Sequence, residues 1–150
     1  MKNEGKIRPA KLGDEAAIHQ LIKDLAEYEK APDEVTNTLE DLRDHLFIEN
    51  ICEAIVLEVE EKIIGFALYY ISYSTWKGKC LYLEDFYVLP EMRGSGFGSK
   101  LFDEVVEIAK LKDVKRMDWQ VLDWNEPAIE FYKKKNALLD PEWINGRIFF

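Results

Sequence analysis

The sequence predicts an α/β fold, a mixed central sheet flanked by helices, in a single domain spanning residues 1–150. Three observations carry this reading. Two runs rich in β-branched and aromatic residues, EAIVLEV and IIGFALYYISY, flank the polar turn Glu60-Glu-Lys62, as an antiparallel hairpin does. The run CLYLEDFYV meets three alternating glycines and then an apolar pattern at helical spacing, the order of a strand–loop–helix crossover. No repeat, low-complexity tract or linker divides the chain, and 150 residues suffice for one proper core.

Each element follows in order. A short strand is expected around Ile7, and Gly13-Asp14 opens a helix on which Ile18, Leu21, Ile22 and Leu25 repeat at helical spacing. Thr38-Leu-Glu-Asp41 predicts a second helix start, with a Thr cap and an acid three residues on. The hairpin and the third strand follow, joined through the Trp76-Lys-Gly78 loop. The helix after the glycines shows Leu101, Val105, Ile108 and Ala109 on one face. RMDWQVL reads as a further strand, and Asn125-Glu-Pro-Ala as a helix start with Asn as cap and Pro in the first turn. WINGRIFF is expected to be a last strand.

Composition narrows the function. The formal net charge of -9, from 29 acidic against 20 basic residues, argues against a basic nucleic-acid face and suits cationic small molecules. The two cysteines, Cys52 and Cys80, lack any CxxC or histidine-pair pattern and are expected to be two buried free thiols in a reducing cytosol. No metal site is expected. The N-terminal residues have no apolar core of a signal peptide and no run approaches a membrane span, so a cytoplasmic protein is expected.

Gly94, Gly96 and Gly98 let backbone approach a ligand closely just where a helix begins, which suits phosphate oxygens better than a merely flexible connection. A Walker loop fails, because position 99 is Ser and no Ser or Thr follows Lys100. A dinucleotide fingerprint from Gly94 would need glycine at 99, although Asp123 could imitate its ribose-binding acid, so a nucleotide-binding fold remains the alternative.

What fits is Arg93-Gly-Ser-Gly96-Phe-Gly98, which resembles the pyrophosphate loop of the GNAT N-acetyltransferase superfamily, Gln/Arg-x-x-Gly-x-Gly/Ala. WNEPAIEFY (124–132) follows at the element where that superfamily has a second hallmark. IRPAKLGD, LIKDLAEYEKAPDEV, IIGFALYY, LYLEDFYV, RGSGFGSK and WNEPAIEFYKKK together resemble the diamine (spermidine/spermine) acetyltransferases, a family with a sister group that acetylates thialysine. Asn136 stands where that family has glycine after its final helix, and Asn also accepts a left-handed cap. Measured against the family, the sequence is expected to lack the extension beyond Phe150 that helps wall the acceptor site.

The resemblance implies a GNAT fold, acetyl-CoA as co-substrate, a small primary amine as acceptor and a homodimer. It implies that Phe86, Tyr87, Val88, Arg93, Gly94, Ser95, Gly96, Phe97, Gly98, Ser99, Asn125, Glu126, Pro127, Ala128 and Tyr132 hold the cofactor. Tyr28, Glu29, Glu84, Asp85, Trp119 and Trp143 would meet the amine. An alkyl ammonium with a pKa near ~10.4 must lose a proton before it attacks a thioester. Glu84, acting through water, is the expected acceptor, and Tyr132 the general acid for the leaving thiolate. A strand amide near Tyr87 or Val88 would carry the oxyanion. Read bare, Glu84 is a surface strand acid and Tyr132 and Trp119 are core aromatics. Strict alternation puts Tyr82, Glu84 and Phe86 on one face and Leu83, Asp85 and Tyr87 on the other. Lys133, Lys134 and Lys135 read as charges favourable at a helix C-terminus. His19 and His45 read as surface or boundary residues. The expected acceptor is a polyamine. The alternatives are a thialysine or other amino-acid side chain, whose carboxylate would need a partner such as Lys79 or Arg147, and a non-catalytic acyl-CoA-binding sensor.

Overall fold

A computed structural model describes residues 4–150, which fall into two compact units, 4–119 and 120–150. The first contains a five-stranded sheet in the order β1 (Gly5–Pro9), β2 (Glu53–Val59), β3 (Lys62–Ser74), β4 (Gly78–Val88), β5 (Arg116–Asp118). The first three pairings are antiparallel. β4 and β5 are parallel and joined through α3 (Phe97–Leu111), the crossover the sequence predicted.

Before β2 come α1 (Glu15–Tyr28) and α2 (Leu39–Phe47). Thr38 caps α2 as expected, its hydroxyl accepting from the Asp41 amide at 3.1 Å. Asp14 precedes α1 but its carboxylate makes no cap bond. It instead takes the Arg8 guanidinium at 2.7 and 3.2 Å and the Lys11 amide at 2.8 Å. Charge-assisted bonds from an arginine fork outcompete a single cap interaction.

One core lies between the helices α1 and α2 and one face of the sheet. Ile18, Leu21, Leu42 and Leu46 pack there against Ala54, Val56, Phe66, Leu68 and Tyr87. The other face carries α3, whose Phe102 meets Phe86 edge-on at 5.6 Å and Trp119 edge-on at 5.4 Å. The hairpin turn at Glu60 and Glu61 places both residues at positive φ, 51° and 66°. Both cysteines are free, Cys80 buried and Cys52 half-buried.

The 120–150 unit holds α4 (Glu126–Lys134). Asn125 caps it, its side-chain oxygen accepting from the Ala128 amide at 3.3 Å, and Pro127 sits in the first turn. Asn136 adopts φ 65°, the left-handed cap expected of it. Two expectations are corrected. RMDWQVL forms a strand only over Arg116–Asp118, and WINGRIFF forms none. A strand exists only where a neighbouring edge takes up its backbone groups. Here Ile144, Ile148, Phe149 and Phe150 stand exposed. No helix among the described residues is long and apolar enough to cross a membrane.

Candidate active site

The site is built around the second half of β4. Cross-strand partners run Tyr70↔Tyr82, Tyr69↔Leu83, then Leu68↔Asp85 and Phe66↔Tyr87, so Glu84 is an extra residue with no partner on β3. This bulge overturns strict alternation. Tyr82 shares the α1/α2 face with Asp85 and Tyr87, while Leu81 and Leu83 share the α3 face with Phe86 and Val88. A bulge re-aims side chains in this way, and nothing in the spacing of LYLEDFYV announces it.

The consequence is electrostatic. Asp85 is half-buried and its carboxyl is pushed up to about 7, first by burial, then by the charges of Glu84 and Glu29. Glu29, just past the end of α1, is itself raised by burial. Glu84 is exposed, and its field reaches Cys52, Tyr70 and Tyr82, raising each on top of a larger effect of burial. Tyr70 and Tyr82 stack tilted at 5.4 Å beside these acids. Glu29, Glu84 and Asp85 are therefore brought together, and among the described residues none forms an ion pair. Three such carboxylates with aromatic faces nearby have the charge and surfaces that suit a cation.

β4 also has an open edge. β5 pairs only with Cys80–Tyr82, and within residues 4–119 no strand covers that side of Glu84–Val88. The Leu89 amide donates to the Ile64 carbonyl at 2.9 Å. By antiparallel alternation Tyr87 then turns its backbone groups toward β3, and Val88 turns its own toward the open side. Val88, not Tyr87, is the residue whose amide faces outward.

The glycine loop follows directly. Gly94 and Gly96 adopt φ 87° and 81°, conformations that a side chain resists. A Cβ on Gly94, Gly96 or Gly98 would meet nothing within 4 Å, so open space lies above all three. Gly96 is the N-cap of α3 and gives no side-chain cap. The first-turn amides of Phe97 and Gly98 have no acceptor within the helix. α1, α2 and α4 each carry an acid in the first turn and α3 carries none, which leaves its positive end uncompensated. The phosphates of a cofactor fit this cradle. Phe97 itself is buried and contributes packing. Ser95 is exposed and Ser99 half-buried.

Arg93 turns back from the loop. Its Nε donates to the Val88 carbonyl at 2.9 Å, and its guanidinium lies 5.1 Å from the Tyr28 ring centre and 5.3 Å from that of Tyr87. The sequence offered no signal for this contact beyond the family pattern, which placed Arg93 on the cofactor.

Trp119 belongs to the aromatic row Phe86–Phe102–Trp119 on the α3 face, opposite the acids, so it is placed apart from the group expected to meet the amine. In the other unit, Tyr132 is buried with its ring edge-on to Phe131 at 5.4 Å. Trp143 is exposed there and donates its indole N–H to Asp140 at 2.9 Å. Glu126, Pro127 and Ala128 form the first turn of α4.

Comparison with known proteins agrees with this fold. Residues 16–137 match the Acetyltransferase (GNAT) family. The thialysine N-epsilon-acetyltransferase of Bos taurus is 44% identical over 140 residues, covering 87% of this chain and 82% of that protein. The spermidine/spermine N(1)-acetyltransferase-like protein 1 of Homo sapiens is 36% identical over 141 residues, 89% of this chain and 20% of that protein. Among solved structures, an aminoglycoside N-acetyltransferase in complex with CoA superposes with TM-score 0.81 at 16% identity, covering 99% of this chain and 97% of that one. A ribosomal-protein-alanine N-acetyltransferase from Brucella melitensis gives 0.73 at 19% identity, covering 98% and 100%. The structural likenesses speak for the fold alone.

Proposed function

The chain belongs to the acetyltransferase (GNAT) family, and we propose that its acceptor is a small primary amine bearing a second positive charge, with a polyamine or diamine first. The protein is an N-acetyltransferase, and acetyl-CoA is the co-substrate of this family. The observation that carries the acceptor reading is the trio Glu29, Glu84 and Asp85, none of them neutralised by an ion pair among the described residues.

Residues 1–150 act as one domain in this reading. The amides of the Arg93–Ser99 loop and the start of α3 bind the cofactor's pyrophosphate. Bound acetyl-CoA supplies a thioester carbonyl for the amine to attack. The Val88 amide, on the open edge of β4, donates to the oxygen on which negative charge grows. Glu84, exposed beside the half-buried Asp85, takes the ammonium proton through water, while Asp85 and Glu29 hold the cation. Tyr132 returns a proton to the departing thiolate. Tyr132→Phe should lower kcat by roughly 10²–10⁴-fold with acetyl-CoA affinity retained. Turnover within a few-fold of the parent would make Tyr132 a packing residue.

A second reading is a thialysine acetyltransferase, favoured by the names and by the 44% and 43% identity of the bovine and porcine relatives. Lys79 or Arg147 would then meet the substrate carboxylate. The test is kcat/KM for spermidine against thialysine, at equal concentration and low salt. A large advantage for thialysine sinks the polyamine reading, and no turnover with any amine would return the acyl-CoA-binding sensor. The reading also takes the enzyme as a cytoplasmic homodimer. A fully active monomer by sedimentation at assay concentration would remove the dimer.

A further inference from the structure

Arg93 is the first residue of the glycine loop, yet its side chain is committed elsewhere. Its Nε caps the outward-facing carbonyl of Val88 at 2.9 Å. Its guanidinium lies over two rings, that of Tyr28, the last residue of α1, and that of Tyr87 from β4, at 5.1 and 5.3 Å. Arg8, Arg43 and Arg116 all pair with carboxylates, whereas Arg93 has no ion pair among the described residues. Its electrostatic work is therefore done through the two aromatic faces and one carbonyl.

The position of those rings gives the contact its meaning. Glu29 follows Tyr28 directly, and Asp85 lies two residues before Tyr87 on the same face of β4. The two sides of the acidic receptor thus come from separate elements, the α1 terminus and the β4 bulge. A helix terminus frays readily, because its last carbonyls lack helical partners. Here Glu29 and Lys30 donate their amides back to Leu25 and Glu27, closing the helix, and the Tyr28 ring is tied across to β4 by Arg93.

We propose that Arg93 is a positioning residue for the amine: by clasping Tyr28 against Tyr87 it sets the distance between Glu29 and Asp85. This deepens, and rests on, the reading of the acids as the acceptor site. A lysine keeps the charge at position 93 but lacks both the flat face that meets the two rings and the Nε donor, so it is not a conservative replacement here.

The experiment separates this role from phosphate binding by measuring the amine KM at saturating acetyl-CoA, with spermidine and thialysine in parallel. A residue that serves only the cofactor would raise the acetyl-CoA KM and leave the amine KM unmoved once acetyl-CoA saturates. Arg93→Lys is expected to raise the amine KM about 5- to 20-fold, the scale of two cation–π contacts, with kcat changed less. Tyr28→Leu removes the ring and should match Arg93→Lys. The double variant Arg93→Lys/Tyr28→Leu should be no worse than either single change, because both break one contact. An unchanged amine KM in Arg93→Lys, or fully additive losses in the double variant, overturns the positioning role. A parent enzyme that turns over neither amine overturns the acceptor reading itself, and this inference with it.

Discussion

The two halves of β4 are made of similar residues and do different work. Over Cys80–Tyr82 the strand is paired on both sides, to β3 and to β5. Over Asp85–Val88 it is paired to β3 alone, after a bulge at Glu84 that turns Asp85 onto the α1/α2 face. The first half places Cys80 and Leu81 in the core. The second carries a carboxyl titrating near neutrality and an outward amide at Val88. Pairing on both sides uses every backbone group for stability. Leaving one edge open frees them for a ligand, and the cost is met by the packing of Phe66, Leu68 and Tyr87.

The sharpest way to break the open half is at the loop it feeds. Gly96 holds φ 81° with open space above it. Gly96→Val forces a β-branched residue into the left-handed region and fills the cradle, so acetyl-CoA affinity should fall by about 100-fold or more while circular dichroism retains the parent spectrum. Unchanged affinity by calorimetry would remove the loop as the pyrophosphate site.

Asp85 tests the bulge. Its carboxyl is raised to about 7, so the folded state favours its protonated form. The stability it contributes is complete below the unfolded value near ~4 and is lost as pH rises toward 7. Asp85→Asn should therefore be more stable than the parent at pH 8, by about 2 kcal/mol once the water reaching a half-buried group is allowed for, and equal to it near pH 4. Activity should fall in the same variant. Parallel melting curves across that range would show that Asp85 is solvated rather than held in the receptor.

The paired side is sharpened by Gly65, opposite Val88. A Cβ there would lie 2.9 Å from the Tyr87 carbonyl oxygen, a backbone atom with little freedom to move. Gly65→Ala should cost about 1–2 kcal/mol by urea unfolding and should disturb the Val88 end of the strand. A neutral change would mean that β3 and β4 separate there without penalty.

Much of this was legible beforehand, for reasons that differ by element. Ile18 and Leu21 on α1, the Thr38 cap, the Asn125 cap and the crossover after the glycines all rest on local chemistry. The glycines at 94 and 96 were legible because positive φ restricts the choice of residue. What failed was tertiary. The bulge at Glu84 depends on β3 supplying one residue fewer, which no period within β4 records. Trp119 read bare is a core aromatic, and the resemblance alone made it an acceptor contact; Phe102 beside it favours the bare reading. WINGRIFF has strand composition, but composition does not provide an edge to pair with.

The mildest test concerns Glu29, the one acid of the three supplied by α1. It is half-buried with its carboxyl raised by burial, and its charge adds to that of Glu84 in raising Asp85. Glu29→Gln keeps the shape of the residue and removes one negative charge from the receptor. Two outcomes follow from the same Coulomb argument. The KM for a polyamine should rise about 3- to 5-fold with a smaller change in kcat, because Glu29 attracts the cation and transfers no proton. Asp85, relieved of one neighbouring charge, should titrate lower, moving the acidic limb of the kcat/KM profile toward lower pH. Salt should raise the parent's polyamine KM more than that of Glu29→Gln, since the variant has less charge to screen. If the KM rises while the acidic limb stays fixed, Glu29 meets the amine without sharing the field of Asp85, and the α1 and β4 sides of the receptor work independently.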